Sequence, residues 1–232
     1  MTENENNFPT PLRGSNKLNS SHEVILNQTI YQLKIILVGD TSVGKTSLVN
    51  RFMGYDFEEN LKCTVNADFK IKSVSISSNI GAELTVWDTC GQERFRSMTR
   101  QYFKDAHGVV LVFDVGDLES YNNLSSWMKE IKTNSNRDPE IVLVANKIDR
   151  EDRKVTKETG MKFAEKNGIM YTETSSKEGI NIDSPFEKLA TALIDKIKEN
   201  PNYNIHTTDD NMKNYGKKSE IEKSREKDIK CC

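Results

Sequence analysis

The chain has 232 residues, of which 35% are hydrophobic and 29% are charged. This length is enough for one domain of ordinary size with some polar segments outside its core. The net charge of −2 provides no basic field, so nucleic acid is not expected as a partner. The four cysteines have neither disulfide-framework nor zinc-site spacing, which favours a reducing compartment.

The composition changes twice along the chain. Residues 1–31 are rich in Asn, Ser and Glu and are predicted to be a disordered extension. From residue 32 to about residue 200, apolar β-branched runs alternate with helix-like segments, which predicts one α/β domain with a doubly wound, mostly parallel sheet. Residues 201–232 are polar again and end in Cys-Cys, so we expect a flexible tail.

The alternation is interrupted once, between Phe69 and Trp87. Two strand-like runs flank SSNIGA there without a helix between them, which predicts a hairpin and one antiparallel strand. The last helix is predicted to have Ser184 as its N-cap. With Pro185 at N1 and Glu187 at N3, the pattern indicates a capping box.

The stretch GDTSVGKT, Gly39 to Thr46, follows the apolar run LKIILV. A glycine-framed turn between a strand and a helix lets several backbone N–H groups point at a phosphate. Lys45 would reach the β- and γ-phosphates, and the Thr46 hydroxyl would bind Mg²⁺. This loop alone does not distinguish ATP from GTP.

The stretch Asn146-Lys147-Ile148-Asp149 stands at the end of a later apolar strand. Strand ends of a parallel sheet face one crevice, so these residues are expected near the phosphate loop. The Asp149 carboxylate suits the N1–H and exocyclic amino group of guanine, which adenine lacks. Lys147 can lay its stem on the base, and the turn ETSSK, residues 173–177, could reach the purine oxygen.

Between these motifs lies WDTCGQERF, residues 87–95. Asp88 at a strand end could hold Mg²⁺, Gly91 could donate a backbone N–H to the γ-phosphate, and Gln92 could orient water. Thr64, in a polar loop, could supply a second hydroxyl to Mg²⁺. Both segments would then respond to the γ-phosphate.

The motifs together resemble the Ras-like small GTPases. VNADFKI, RFRSMTRQYFKDAHG, LVFDV and the terminal Cys-Cys resemble the Rab branch in particular. The resemblance implies a P-loop small-GTPase domain: a six-stranded, mostly parallel sheet with one antiparallel strand and helices on both faces. It implies a slow GTPase switch that recruits effectors in vesicle-mediated traffic. DRKVTKETGMKFAEKNG faintly resembles a subgroup linked to endoplasmic reticulum and lipid droplets.

The resemblance also assigns site residues. The expected catalytic residues are Lys45, Thr64 and Gln92, and the expected Mg²⁺ ligands are Thr46 and Thr64 with Asp88 behind them. Phe57 would pack against the guanine, and the aromatic trio of Phe69, Trp87 and Tyr102 would underlie an effector surface. The full set expected to contact GTP or GDP is Asp40, Thr41, Ser42, Val43, Gly44, Lys45, Thr46, Ser47, Phe57, Thr64, Gly91, Asn146, Lys147, Asp149, Ser175, Ser176 and Lys177.

Three positions depart from the family pattern. Cys90 stands where Ala is usual beside Gly91, and its larger side chain is expected to hinder the closed switch or slow hydrolysis. Ser176 replaces an Ala beside the guanine, and Asn66 replaces a Gly in the first switch. We expect slightly weaker base binding from Ser176 and altered effector contacts from Asn66.

The terminal Cys231 and Cys232 resemble the double geranylgeranylation site of Rab proteins. Two lipid chains anchor a protein stably, whereas one binds marginally. The resemblance therefore implies a monomer on the cytoplasmic face of an endomembrane, with a cytosolic pool. It also implies a guanine-nucleotide exchange factor, a GTPase-activating protein, effectors, a Rab escort protein and a GDP-dissociation inhibitor as partners.

Two other functions fit parts of the sequence. A GTP-binding scaffold with negligible hydrolysis is disfavoured by Gln92, although Cys90 favours it slightly. An ATP-dependent phosphotransferase could use the same phosphate loop, but Asn146 to Asp149 argue against adenine.

Overall fold

The computed structural model describes residues 29–59, 61, 64, 68–89 and 102–200. Within this range the chain forms a six-stranded sheet with helices on both faces. The strands are β1 (Thr29–Val38), β2 (Asp68–Ser77), β3 (Ile80–Asp88), β4 (Gly108–Asp114), β5 (Glu140–Asn146) and β6 (Met170–Glu173).

The sheet order is β2-β3-β1-β4-β5-β6. All neighbouring pairs are parallel except β2 and β3, which form the hairpin predicted from sequence. Phe69 pairs with Trp87 across that hairpin. After β1 the chain adds β2 and β3 on one side of it, and β4 then lies on the other side. This switch in strand order predicts a crevice at the carboxyl end of β1.

The helices connect these strands. They are α1 (Lys45–Phe52), α2 (Leu118–Asn122), α3 (Leu124–Asn134), α4 (Lys157–Asn167) and α5 (Ser184–Glu199). In the described part of the chain, no helix has both the length and the apolar character needed to cross a bilayer.

The predicted capping box of α5 is wrong. Asp183 is the N-cap, with no side-chain capping hydrogen bond, and Ser184 is already helical. The Asp183 carbonyl accepts from the backbone N–H groups of Phe186 and Glu187. The Ser184 hydroxyl instead lies 3.3 Å from the hydroxyl of Thr172 in β6, so a contact with the sheet replaces the local cap.

Alternate side chains of β1 enter two apolar cores, one on each face of the sheet. Ile35 and Leu37 belong to the core covered by α1 and α5, whereas Ile36 and Val38 belong to the core covered by α3 and α4. Every residue of β4 is buried. Burial on both faces explains the continuous apolar runs and leaves polar residues at the strand ends.

Candidate functional site

The turn at residues 39–44, between β1 and α1, depends on glycine. Gly39 has φ +140° and Gly44 has φ +97°, values that other residues rarely adopt. A Cβ on Gly39 would lie 2.2 Å from the Val112 carbonyl oxygen, and one on Gly44 would lie 2.4 Å from Asn146 Nδ2. The turn therefore packs against the ends of β4 and β5.

The Lys45 side chain lies under this turn and is 5% exposed. Its ammonium donates hydrogen bonds to the carbonyl oxygens of Gly39, at 2.9 Å, and Asp40, at 2.6 Å. The positive charge is thus held beside the N-terminus of α1, whose backbone dipole has the same sign. This combination favours an anion at the turn.

Three oxygen-bearing side chains meet at the start of α1. The Thr46 hydroxyl lies 2.8 Å from the Thr64 hydroxyl and donates to Oδ2 of Asp88 at 2.7 Å. Oδ1 of Asp88 is buried and has no hydrogen-bond partner among the described residues. Burial raises the pKa of the Asp88 carboxyl, although the Thr46 hydrogen bond and the charge of Lys45 lower it.

This oxygen set suits a hard cation such as Mg²⁺, which prefers oxygen ligands. The buried Asp88 oxygen would gain a favourable electrostatic partner from a cation or its water. Within the described ranges, no group of three or more His, Cys, Asp or Glu side chains is arranged so that it could hold a metal ion. A metal here would therefore need the two hydroxyls.

At the opposite end of the turn, Asn146 connects three segments. It is fully buried, and its Nδ2 donates to the Val43 carbonyl at 2.9 Å. Its Oδ1 accepts from the hydroxyls of Thr174, at 3.0 Å, and Ser176, at 3.3 Å. Asn146 thus joins the phosphate-loop turn to the segment after β6. The hydroxyl of Ser176, the family-atypical residue, is used in this network.

Lys147 and Asp149 follow on the loop after β5. Lys147 has φ +64°, and its ammonium donates to the Ser42 carbonyl at 2.7 Å. Oδ1 of Asp149 accepts from the Ser175 hydroxyl at 2.5 Å. The loop is therefore held against the turn at residues 39–44 on one side and the segment after β6 on the other.

Both ends open into one cavity of about 350 Å³. It includes most of the predicted nucleotide contacts and adds Glu58, Glu59, Leu61 and Thr89, which the sequence did not indicate. The lining residues are Thr41, Ser42, Gly44, Lys45, Thr46, Ser47, Phe57, Glu58, Glu59, Leu61, Thr64, Thr89, Asn146, Lys147, Asp149, Ser176 and Lys177.

Some predicted site residues do not line the cavity. The Val43 side chain is in the core, and Ser175 acts on Asp149 through its hydroxyl. Gly91 and Gln92 lie outside the described residues, as do Cys90, Asn66, Cys231 and Cys232.

The Ras family model matches residues 34–195. Ras-related protein Rab-18 of Lymnaea stagnalis is 40% identical over 168 residues, covering 72% of this chain and 83% of that protein. Rab-12 of Homo sapiens is 41% identical over 169 residues, covering 72% and 69%. Rab-13 of Canis lupus familiaris is 41% identical over 174 residues, covering 75% and 85%.

The chain belongs to the Ras family as a Rab-type small GTPase. It therefore hydrolyses GTP and acts in membrane traffic. Its sheet, with one antiparallel strand, is the predicted small-GTPase fold.

The aromatic trio predicted for this Rab-type GTPase is assembled on the β2–β3 side of the sheet. The ring centroids of Phe69 and Trp87 are 5.0 Å apart, and those of Trp87 and Tyr102 are 5.3 Å apart. Phe69 is 49% exposed, whereas the other two pack against a core. The trio thus combines an exposed ring with two supported ones.

The Asp40 side chain has a role that the sequence did not indicate. It turns toward α3, where its carboxylate accepts from Nδ2 of Asn123 and Nε1 of Trp127, both at 2.7 Å. Both donors lie more than 80 residues away in sequence, so local patterns do not reveal the pairing. In this GTPase the phosphate-loop turn is therefore anchored to a helix on one face of the sheet.

Proposed function

We propose that the cavity holds a guanine nucleotide, with its phosphates along residues 40–47 and its base beside Asn146, Lys147 and Asp149. The observation that supports this most strongly is convergence. A phosphate-loop turn, an oxygen-rich end and a base-reading loop come from distant parts of the chain and open into one cavity. Phe57, Ser175, Ser176 and Lys177 would complete the surroundings of the base.

Base selectivity would come from Asp149. Its carboxylate accepts hydrogen bonds but cannot donate them, so it matches the N1–H and amino group of guanine. Adenine presents an acceptor nitrogen at N1 and would leave the carboxylate unpaired. The Ser175 hydroxyl bonded to Oδ1 would fix the carboxylate in orientation, and Lys147 would cover the base with its stem.

Thr46 and Thr64, with Asp88 behind them, would hold Mg²⁺. When bound, this ion neutralises negative charge on the phosphate oxygens. The buried Asp88 carboxylate and the adjoining hydroxyls supply the oxygen-rich surroundings that the ion prefers.

Hydrolysis would use groups on both sides of the cavity. Lys45 would stabilise charge that develops on the transferred phosphoryl group. Following the family resemblance, Gln92 would orient the attacking water and the Gly91 N–H would bind the γ-phosphate. Loss of the γ-phosphate would release the loop that carries Thr64 and the segment that carries Gly91 and Gln92, and so switch the protein off.

Regulation and location follow from the same family membership. Exchange factors would release GDP, activating proteins would accelerate hydrolysis, and effectors would bind over Phe69, Trp87 and Tyr102. Prenyl groups on Cys231 and Cys232 would anchor the protein to the cytoplasmic face of an endomembrane. An escort protein would present it for prenylation, and a GDP-dissociation inhibitor would maintain the cytosolic pool.

The test compares nucleotide binding by the wild type and by Asp149→Asn, which replaces one acceptor oxygen with a donor. Wild type should bind GDP at least about 100-fold more tightly than ADP. The variant should lose GDP affinity by a similar factor and gain affinity for xanthosine diphosphate, whose C2 oxygen accepts from the new amide. Asp138→Asn, at an exposed carboxylate far from the cavity, is the control. Equal binding of GDP and ADP by wild type would contradict the assignment.

A further inference from the structure

Asp114, the last residue of β4, has a buried carboxylate that neutralises two cations. Its side chain is 5% exposed. Oδ2 lies 2.8 Å from Nζ of Lys147 and 3.0 Å from Nη1 of Arg150. Oδ1 accepts from the Gly116 backbone N–H at 2.8 Å. A buried carboxylate needs such compensation because desolvation otherwise disfavours its charge.

Arg150 pairs with a second carboxylate besides Asp114. Its Nε and Nη2 donate to the two oxygens of Asp152 at 2.8 and 2.6 Å, so the guanidinium bridges two carboxylates. It also lies close to the backbone at Gly116, where an added Cβ would be 2.3 Å from Nε. A side chain at that position would displace the Arg150 guanidinium from its present place.

The Arg150 backbone N–H donates to the Lys147 carbonyl at 3.1 Å. Lys147 and Asp149, the base-end residues, therefore lie within a turn whose last residue is attached to β4 by an ion pair. Neither Asp114 nor Arg150 is among the residues that line the cavity, so any effect on a ligand must pass through their neighbours.

We propose that Asp114 and Arg150 form an ionic clip that positions Lys147 and Asp149 for the guanine base and so sets the lifetime of bound nucleotide. This inference rests on the proposed function of the cavity. Asp114 draws the Lys147 ammonium toward β4 and aligns its stem along the cavity wall. Arg150 fixes the turn that carries Asp149.

The two residues of the clip are not expected to contribute equally. Without Arg150, Asp114 still pairs with Lys147, so part of the alignment remains. Without the Asp114 charge, two neighbouring cations repel each other and Lys147 loses its anchor at β4. The Asp114 variant should therefore show the larger effect, and the double variant should resemble it.

The clip acts at the base and not at the phosphates, which provides a distinguishing measurement. Release of GDP and GTP should accelerate by the same factor, with or without Mg²⁺. Selectivity for GDP over inosine diphosphate, which lacks the exocyclic amino group, should decrease because Asp149 is less well aligned. A substitution that merely loosened the fold would change thermal stability without this base-specific loss.

The experiment measures release of fluorescent GDP from the full-length protein on dilution into excess GDP. Arg150→Met, which keeps the aliphatic stem, should accelerate release about five- to tenfold, and Asp114→Asn about 20-fold or more. Arg150→Lys should recover part of the wild-type rate, because it keeps the charge but not the fork. Lys198→Met, which removes a surface ion pair with Asp195, is the matched control and should release GDP at the wild-type rate.

Two outcomes would overturn the inference alone. In the first, wild type binds GDP normally, and the rates of GDP release from Arg150→Met and Arg150→Lys both lie within twofold of the rate from Lys198→Met. In the second, the variants release GDP faster than wild type only when Mg²⁺ is present. This result would locate the effect at the phosphates. A wild-type protein that binds no guanine nucleotide would overturn the proposed function as well, and this result is distinguishable from the first two.

Discussion

At the base end of the cavity, polar side chains are bonded to other protein groups, whereas at the metal end a buried oxygen is left over. Asn146, Lys147 and Asp149 each contact a neighbouring segment. Asp88 uses one oxygen for Thr46, and its other oxygen finds no partner in the described part of the chain. The base end is therefore organised by the fold itself, and the metal end is organised to receive a cation.

This difference separates two energetic roles. Side chains at the base end stabilise the protein and position the ligand through the same hydrogen bonds. At the metal end, desolvation of the Asp88 carboxylate costs folding free energy, which a bound cation would return. Substitutions at the two ends should consequently change stability in opposite directions.

The largest effect is expected from Asn146→Ala. It leaves the Val43 carbonyl and the hydroxyls of Thr174 and Ser176 without their buried partner. The unfolding free energy should fall by about 3 kcal/mol, and GDP release should accelerate about 100-fold. Denaturant titration and fluorescent-GDP release measure the two quantities.

Asn134→Ala is the control for this substitution, because Asn134 bonds only locally along α3, to Glu130, in the contacts described. It should cost less than about 1 kcal/mol. Equal losses for the two variants would contradict the view that the base end is organised by Asn146.

A smaller effect of opposite sign is expected from Asp88→Asn. Without Mg²⁺ the unfolding free energy should rise by about 1 kcal/mol, because a buried charge is replaced by a neutral amide of the same shape. Mg²⁺ should slow GDP release from wild type but not from the variant. A normal Mg²⁺ response in Asp88→Asn would remove Asp88 from the metal site.

The same pair of proteins gives a pH test. Burial raises the folded-state pKa of Asp88 above 3.8, so the folded protein binds this proton more tightly than the unfolded chain does. The resulting contribution to stability is complete below the unfolded pKa. That contribution is lost as pH rises through the folded pKa. In Mg²⁺-free buffer, the stability of wild type relative to Asp88→Asn should therefore decline from about pH 4 upward. A wild-type stability that rises with pH relative to Asp88→Asn would contradict the raised pKa.

The smallest effect on GDP release is expected from Trp127→Phe. It removes one hydrogen bond to the Asp40 carboxylate but leaves the bond from Asn123. Stability should fall by about 1 kcal/mol, and GDP release should accelerate about two- to fivefold. Trp87→Phe, which alters the aromatic trio, should leave GDP release unchanged. If both variants released GDP at the same rate, Asp40 anchoring would have no part in nucleotide retention.

The mostly parallel sheet and the antiparallel hairpin agree with the sequence-based prediction. They follow from the alternation of strands and helices and from the absence of a helix between two strands. The N-cap of α5 was predicted wrongly because the Ser184 hydroxyl contacts Thr172 on β6. A local capping pattern contains no information about that neighbour.

The convergence of Thr46, Thr64 and Asp88 was expected from their motifs. The partners of Asp40 and of Asp114 were not, since these pairings join strand ends and loops that are brought together only by the order of strands in the sheet. Ion pairs and hydrogen bonds of this kind have no periodic signature along the chain.

The positions of the two tryptophans make them intrinsic fluorescent probes of two different sites. The chain contains only Trp87 and Trp127. The Trp127 indole is bonded to the phosphate-loop residue Asp40, and Trp87 stacks within the proposed effector surface. Since indole emission follows local polarity and hydrogen bonding, single-tryptophan variants would report nucleotide occupancy and effector docking as separate fluorescence signals, without any attached dye.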